Sequence, residues 1–172
     1  MSDLFDKVTE GQDPFTKILG KIPGFKGYLE RTRRRNADKI LREQIAAEYS
    51  VLWKRVGEVQ SDLVSAGELL VLDDIETAAI KLQTFIDKIS GAPYGYSGFF
   101  DAIKIKEEEL AKIYEFDAAL LDGADEISLA IDNLEASVGT DGLPAAIRHL
   151  VGLTRELVTA FESRDQILTE IE

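Results

Sequence analysis

Apolar residues recur in this chain at spacings that alternate between three and four, over four separate stretches. The first runs Ile45, Tyr49, Leu52, Val56, Val59, Leu63, and the second Leu72, Ile75, Ala79, Leu82, Ile86, Ile89. A third runs Leu110, Ile113, Phe116, Leu120, Ala124, Ile127, Ile131, Leu134, Val138. The fourth is Ile147, Leu150, Thr154, Leu157, Phe161, Arg164, Leu168, Ile171, with Thr154 and Arg164 as polar interruptions. Such a rhythm is the seam of a helix lying along its neighbours at a shallow angle. A strand needs a period of two, and no stretch sustains one. Four seams in one chain predict an all-α fold, an elongated antiparallel four-helix bundle with long, coiled-coil-like helices.

The breaks between stretches carry the residues that stop helices. Ser65-Ala66-Gly67 offers a terminal glycine, and Asp73-Asp74 can cap the next helix. Ser90-Gly91-Ala92-Pro93 ends that helix, because proline cannot continue it. Gly139-Thr140-Asp141-Gly142-Leu143-Pro144 separates the last two, with Thr140 or Asp141 as cap and Pro144 in the first turn. The expected helices are therefore about 28–66, 73–90, 102–138 and 142–171, with Gly123 inside a continuous third helix. Residues 1–27 form an N-terminal segment, a short amphipathic helix or flexible. The first helix would be roughly 58 Å long and the second about 27 Å at 1.5 Å per residue. The front of the first helix is then either covered by helices three and four or projects.

Composition removes much chemistry. A chain of 172 residues buries enough surface to need no staples. The absence of Cys excludes disulfides, Cys-bound zinc, iron–sulfur clusters and thiol catalysis. A single His149 argues against His-rich metal sites and imidazole catalysis. No metal, cofactor or small-molecule substrate is expected. The phosphate-binding loop, nucleophile elbow, paired-histidine zinc motif and EF-hand are all missing. A di-metal bundle needs two Glu-x-x-His motifs, and Ala146 stands where His149 would need its glutamate. Asp117, beside the seam residue Phe116, is read as a boundary residue paired with an arginine rather than as a general acid. The expectation is a protein that is not an enzyme.

Charge is uneven. The net is −12, but residues 1–60 carry twelve basic and nine acidic side chains, whereas the other 112 carry eight and twenty-three. A polyanionic chain is repelled by nucleic-acid phosphate, so no nucleic acid is expected as partner. No apolar run is long enough to span a membrane, and the acidic start MSDLFDKVTE does not read as a secretory signal. The expected compartment is the cytoplasm.

Three segments stand out. In residues 15–26, Phe15, Ile18, Leu19 and Ile22 share one helical face with Lys17, Lys21 and Lys26 off it. That pattern suits docking on the bundle, grip on a partner, or contact with an anionic membrane surface. Next comes the basic run Arg31, Arg33, Arg34, Arg35, Lys39 and Arg42, in which Glu30–Arg34 and Asp38–Arg42 are spaced to pair within one helix. It either neutralises acidic patches of the third and fourth helices or binds carboxylates and phosphates of a partner. Finally, Pro93-Tyr94-Gly95-Tyr96-Ser97-Gly98-Phe99-Phe100 sets four aromatics among glycines, which either plug the open end of the core or form a recognition surface.

Three blocks stand together: Ile22-Pro23-Gly24-Phe25-Lys26-Gly27-Tyr28 with Glu30, Arg34-Arg35, Ala37-Asp38-Lys39 and Leu41-Arg42; Tyr94 to Ala102; and Leu110, Tyr114, Phe116-Asp117 and Leu120-Leu121. Over about residues 20–122 the chain resembles a family of uncharacterised bacterial helical proteins. The resemblance implies an all-helical fold and brings no activity and no active site. The expected function is interaction with an acidic protein partner or with itself. The expected surface combines Arg31, Arg34, Arg35, Lys39 and Arg42 with Tyr94, Tyr96, Phe99 and Phe100. The alternative is a peripheral membrane stress or scaffold protein using Phe15, Ile18, Leu19 and Ile22.

Overall fold

A computed structural model describes residues 14–22, 34–91 and 107–170. Among the described residues the regular structure is entirely helical: α1 (Pro14–Lys21), α2 (Arg34–Ala66), a single 3-10 turn (Leu69–Val71), α3 (Leu72–Gly91), α4 (Glu107–Ser137) and α5 (Leu143–Glu170). The first residues of the expected first and third helices, 28–33 and 102–106, lie outside the described residues.

The stripes form one core. Ile45, Tyr49, Leu52, Val56, Val59 and Leu63 of α2 are all buried, with Ile75, Leu82 and Ile89 of α3, Leu120, Ile127, Ile131 and Leu134 of α4, and Ile147, Leu150 and Leu157 of α5. Burying one such aliphatic side chain is worth about 1.5–3 kcal/mol, so the seams supply most of the drive to fold. The stripes are wider than a strict seam: Phe85, Ala118 and Leu121 are buried too. Extra width is needed because α3 packs on both α2 and α5, and α4 on α1, α2 and α5.

The bundle is antiparallel within each hairpin and parallel between hairpins. α2 pairs with α3 and α4 with α5 through short turns, while the neighbours across the bundle are α2 with α4 and α3 with α5. Register gives the directions. Tyr49 meets Leu120 of α4 and Arg55 meets Asp132, so those numbers rise together; Tyr49 meets Phe85 of α3 and Gln60 meets Glu76, so those run oppositely. α3 and α4 therefore occupy opposite corners. The fifteen residues 92–106 between them are long enough for that, since each can span up to about 3.3 Å.

Helix ends follow backbone chemistry. Gly67 adopts φ 77°, and a complete Schellman pair closes α2: the Glu68 amide donates to Leu63 O at 2.9 Å and the Gly67 amide to Val64 O at 3.1 Å. Gly139, at φ 76°, lies just past α4, where the Thr140 amide donates to Ser137 O at 3.0 Å. Thr140 Oγ1 accepts the Gly142 amide at 3.2 Å just before α5, and Pro144 sits in that helix's first turn. Gly123 does not break α4. It faces Tyr49, whose hydroxyl stands 3.0 Å from where a glycine-to-alanine Cβ would sit.

Of the alternatives for the N-terminal segment, the structure shows the helix docked on the bundle. Ile18 is 0% exposed and Ile22 is also buried, both within the main core cluster, and Leu19 packs against it. α1 lies on α4, where Lys21 Nζ reaches Asp125 Oδ2 at 2.5 Å and Asp122 Oδ1 at 3.4 Å. The apolar face offered as a membrane contact is thus occupied by the bundle, because burying two isoleucines here gains what a lipid surface would give. The side chain of Phe15 lies outside the described residues.

Candidate functional site

The basic run begins α2. Arg34, Arg35 and Lys39 lie on its first turns, with side chains outside the described residues; Arg31 and the aromatics Tyr94, Tyr96, Phe99 and Phe100 also lie outside them. Arg42 is half-buried and engaged by the surrounding structure. Behind the run, Leu41 and Ile45 are buried, so the front of α2 does not project as a bare rod.

Helix direction brings the ends together. α2 starts, α3 ends at Gly91 and α4 starts at Glu107 at one end of the bundle, because α2 and α4 run parallel and α3 runs against them. The basic helix start and both attachment points of the aromatic segment therefore share that end. The same register sets Glu107-Glu108-Glu109 of α4 level with Arg34-Arg35 on the adjacent α2, and Asp117 level with Arg42. The two runs of sequence thus stand at one height on neighbouring helices. Asp117 is only 1% exposed and is engaged, as a buried carboxylate must be.

Further along the α2/α4 interface Arg55 forms a charge fork across the two helices. Its guanidinium donates to Ser128 Oγ at 3.0 Å, Asp132 Oδ1 at 2.6 Å and Glu135 Oε1 at 3.3 Å. Burial works against the Arg55 charge, but the Asp132 and Glu135 carboxylates outweigh it and raise its pKa further. Lys88 makes the equivalent link between α3 and α5, to Glu162 Oε1 at 3.1 Å. At the centre, Tyr49 ties all four long helices. Its hydroxyl donates to the Leu120 carbonyl at 2.6 Å, and its ring meets Phe85 edge-on at 4.6 Å, which meets Phe161 at 5.6 Å. Burial, then the nearby carboxylates of Glu48, Glu126 and Asp125, push the Tyr49 phenol well above its ordinary range.

Two surface features lie outside the helical stripes. The outer groove between α2 and α3 is an open cleft of about 640 Å³ flanked by Trp53, Gly57, Ala79 and Ile80, with Trp53 39% and Ile80 56% exposed. At the hairpin tip below it, Leu70 is 99% exposed, beside Leu69. The signal was partial: Trp53 and Ile80 fall off the seams, but so does Phe85, which is buried, so position off a seam did not by itself mark the exposed side chains. A second cleft, about 330 Å³, lies between α4 and α5 and is lined by Gly123, Leu153 and Ala160 among others.

Among the described residues no three His, Cys, Asp or Glu side chains are placed to hold a metal ion, and no helix is long and apolar enough to cross a membrane. No protein family, curated protein or solved structure matches the chain.

Proposed function

We propose that the protein is a non-enzymatic helical interaction or scaffold protein of the cytoplasm. It binds an acidic protein partner, or a second copy of itself, through the start of α2 and the aromatic segment after α3. The observation that carries this reading is the convergence of Arg34, Gly91 and Glu107 at one end of the bundle. It lets a cluster of cations and a segment with four aromatics act on one partner. Arginines supply bidentate contacts to carboxylates, and aromatic side chains supply most of the energy in protein interfaces.

The competing role for those arginines is to neutralise Glu107-Glu108-Glu109 at the same height. Reversal of charge separates the two. The double variant Arg34→Glu/Arg35→Glu, tested as the full chain against polyglutamate, should lose binding while its helix content by circular dichroism stays constant. Binding by the unaltered chain should weaken as salt rises. If polyglutamate never binds and the double variant only melts at lower temperature, the arginines serve α4 and the proposal falls.

A further inference from the structure

Gly57 has no internal reason to be glycine. It lies deep in the 33-residue helix α2, outside the two positions of positive φ, and a Cβ placed there would meet nothing within 4 Å. A glycine inside a helix costs roughly 1 kcal/mol relative to alanine. Gly123 shows the contrast, because there a Cβ would crowd the Tyr49 hydroxyl at 3.0 Å. Gly57 instead faces outward, in the middle of the α2/α3 groove, one turn from Trp53. Ser61 follows one turn later and also lines the groove. Trp53 and Ile80 are the large apolar side chains left exposed in it. Such a floor admits a close backbone approach from outside the chain.

We propose that this groove is a two-fold self-association face, in which α2 of one copy crosses α2 of a second near Gly57 and each Trp53 lies over the other copy's glycine. Charge favours a second copy as the occupant. Exposed Lys54 and Glu58, one turn apart on the groove rim, have opposite signs. A two-fold axis near Gly57 sets Lys54 of each copy against Glu58 of the other, and does so twice. With Glu76, which accepts from Gln60 Nε2 within the same groove, the lining carries a net of only −1 per copy although the chain carries −12, so the repulsion there is small. About three helical turns of contact, ~16 Å long across two helices ~10 Å apart, fall short of the ~800 Å² per partner of a standard interface. The dimer is therefore weak, with a dissociation constant on the order of micromolar or higher. The proposal deepens the self-binding reading above but uses a different surface.

Trp53 is the one tryptophan in the chain, so its fluorescence reports the groove directly. Sedimentation equilibrium up to sub-millimolar protein should show a monomer–dimer equilibrium, accompanied by a blue shift of the Trp53 emission. Gly57→Gln, which has room for its side chain, should keep or raise the melting temperature and abolish both signals. Lys54→Glu and Glu58→Lys should each weaken the dimer at least tenfold, and the double swap should restore it. Restoration is the result that a heterologous peptide or another face of the chain would not give. A monomeric mass throughout the range overturns the proposal. So does a dimer that survives Gly57→Gln, and a dimer lost with Arg34→Glu/Arg35→Glu but not with Gly57→Gln belongs to the basic end instead.

Discussion

At the scale of single residues, the Tyr49–Gly123 pair is the tightest constraint in the core. The phenol is pinned by its 2.6 Å hydrogen bond to Leu120 and by the Phe85 ring, so it cannot retreat from an added methyl. Gly123→Ala should therefore destabilise the protein by about 1–2 kcal/mol, since overpacking outweighs the gain in helix propensity. In a Tyr49→Phe background the oxygen is gone, and the same substitution should stabilise by up to about 1 kcal/mol. A double-mutant cycle from urea denaturation measures this coupling. Tyr49 also sets an alkaline limit. Its folded pKa lies above that of the unfolded chain, so its contribution is complete below the ordinary phenol value near pH 10 and is lost as pH rises beyond it. Melting temperature should drop above about pH 10, and Tyr49→Phe should flatten that drop. The reason for Gly123 was illegible in the sequence, where a mid-helix glycine reads as a kink. Only the three-dimensional approach of a side chain 74 positions earlier explains it.

At the scale of elements, α1 tests how far docking is separable from the bundle. It holds by Ile18 and Ile22 below and by Lys21 against Asp125 and Asp122 at the edge. Burial works against the Lys21 charge, but the two carboxylates outweigh it and raise its pKa. Ile18→Asp would bury a carboxylate among aliphatic side chains, which is costly unless the segment lifts off. The expected outcome is fast hydrogen exchange and proteolytic cleavage within residues 14–22 while α2–α5 stay protected. Helix existence was readable throughout, since Ile45, Leu82, Ile127 and Leu150 keep the three–four rhythm and are all buried. Phe85 was not, because it sits beside the stripe through Leu82 and Ile86 and becomes core only when α5 covers α3's second flank. Trp53 lay off every stripe for the opposite reason: the described residues leave it 39% exposed. Of the surface expected from the sequence, the described residues hold only the start of α2. What the pattern could not reveal there was the height at which Glu107-Glu108-Glu109 stands beside it, because a seam records that a helix packs and not against which neighbour.

For the whole molecule, the −12 charge is a standing repulsion that local pairs only partly offset. Arg55, Lys21 and Lys88 make half-exposed links, each worth at most about 1 kcal/mol. Screening should therefore help more than it harms. Between about 0.01 and 0.15 M ionic strength the screening length falls from roughly 30 to 8 Å. Melting temperature should rise by about 2–4 °C over that interval, as 1 kcal/mol of relief would give; a fall would mean the ion pairs dominate. The diagonal placement of α3 and α4 has a different consequence. Each hairpin is a unit closed by its own tight turn, and the one covalent tie between the two units is the stretch 92–106, at the end opposite both turns. Severed there, halves 1–91 and 107–172 would each bare a full oily flank that only the other matches, and produced together from separate messages they should find each other and rebuild the bundle without the tether.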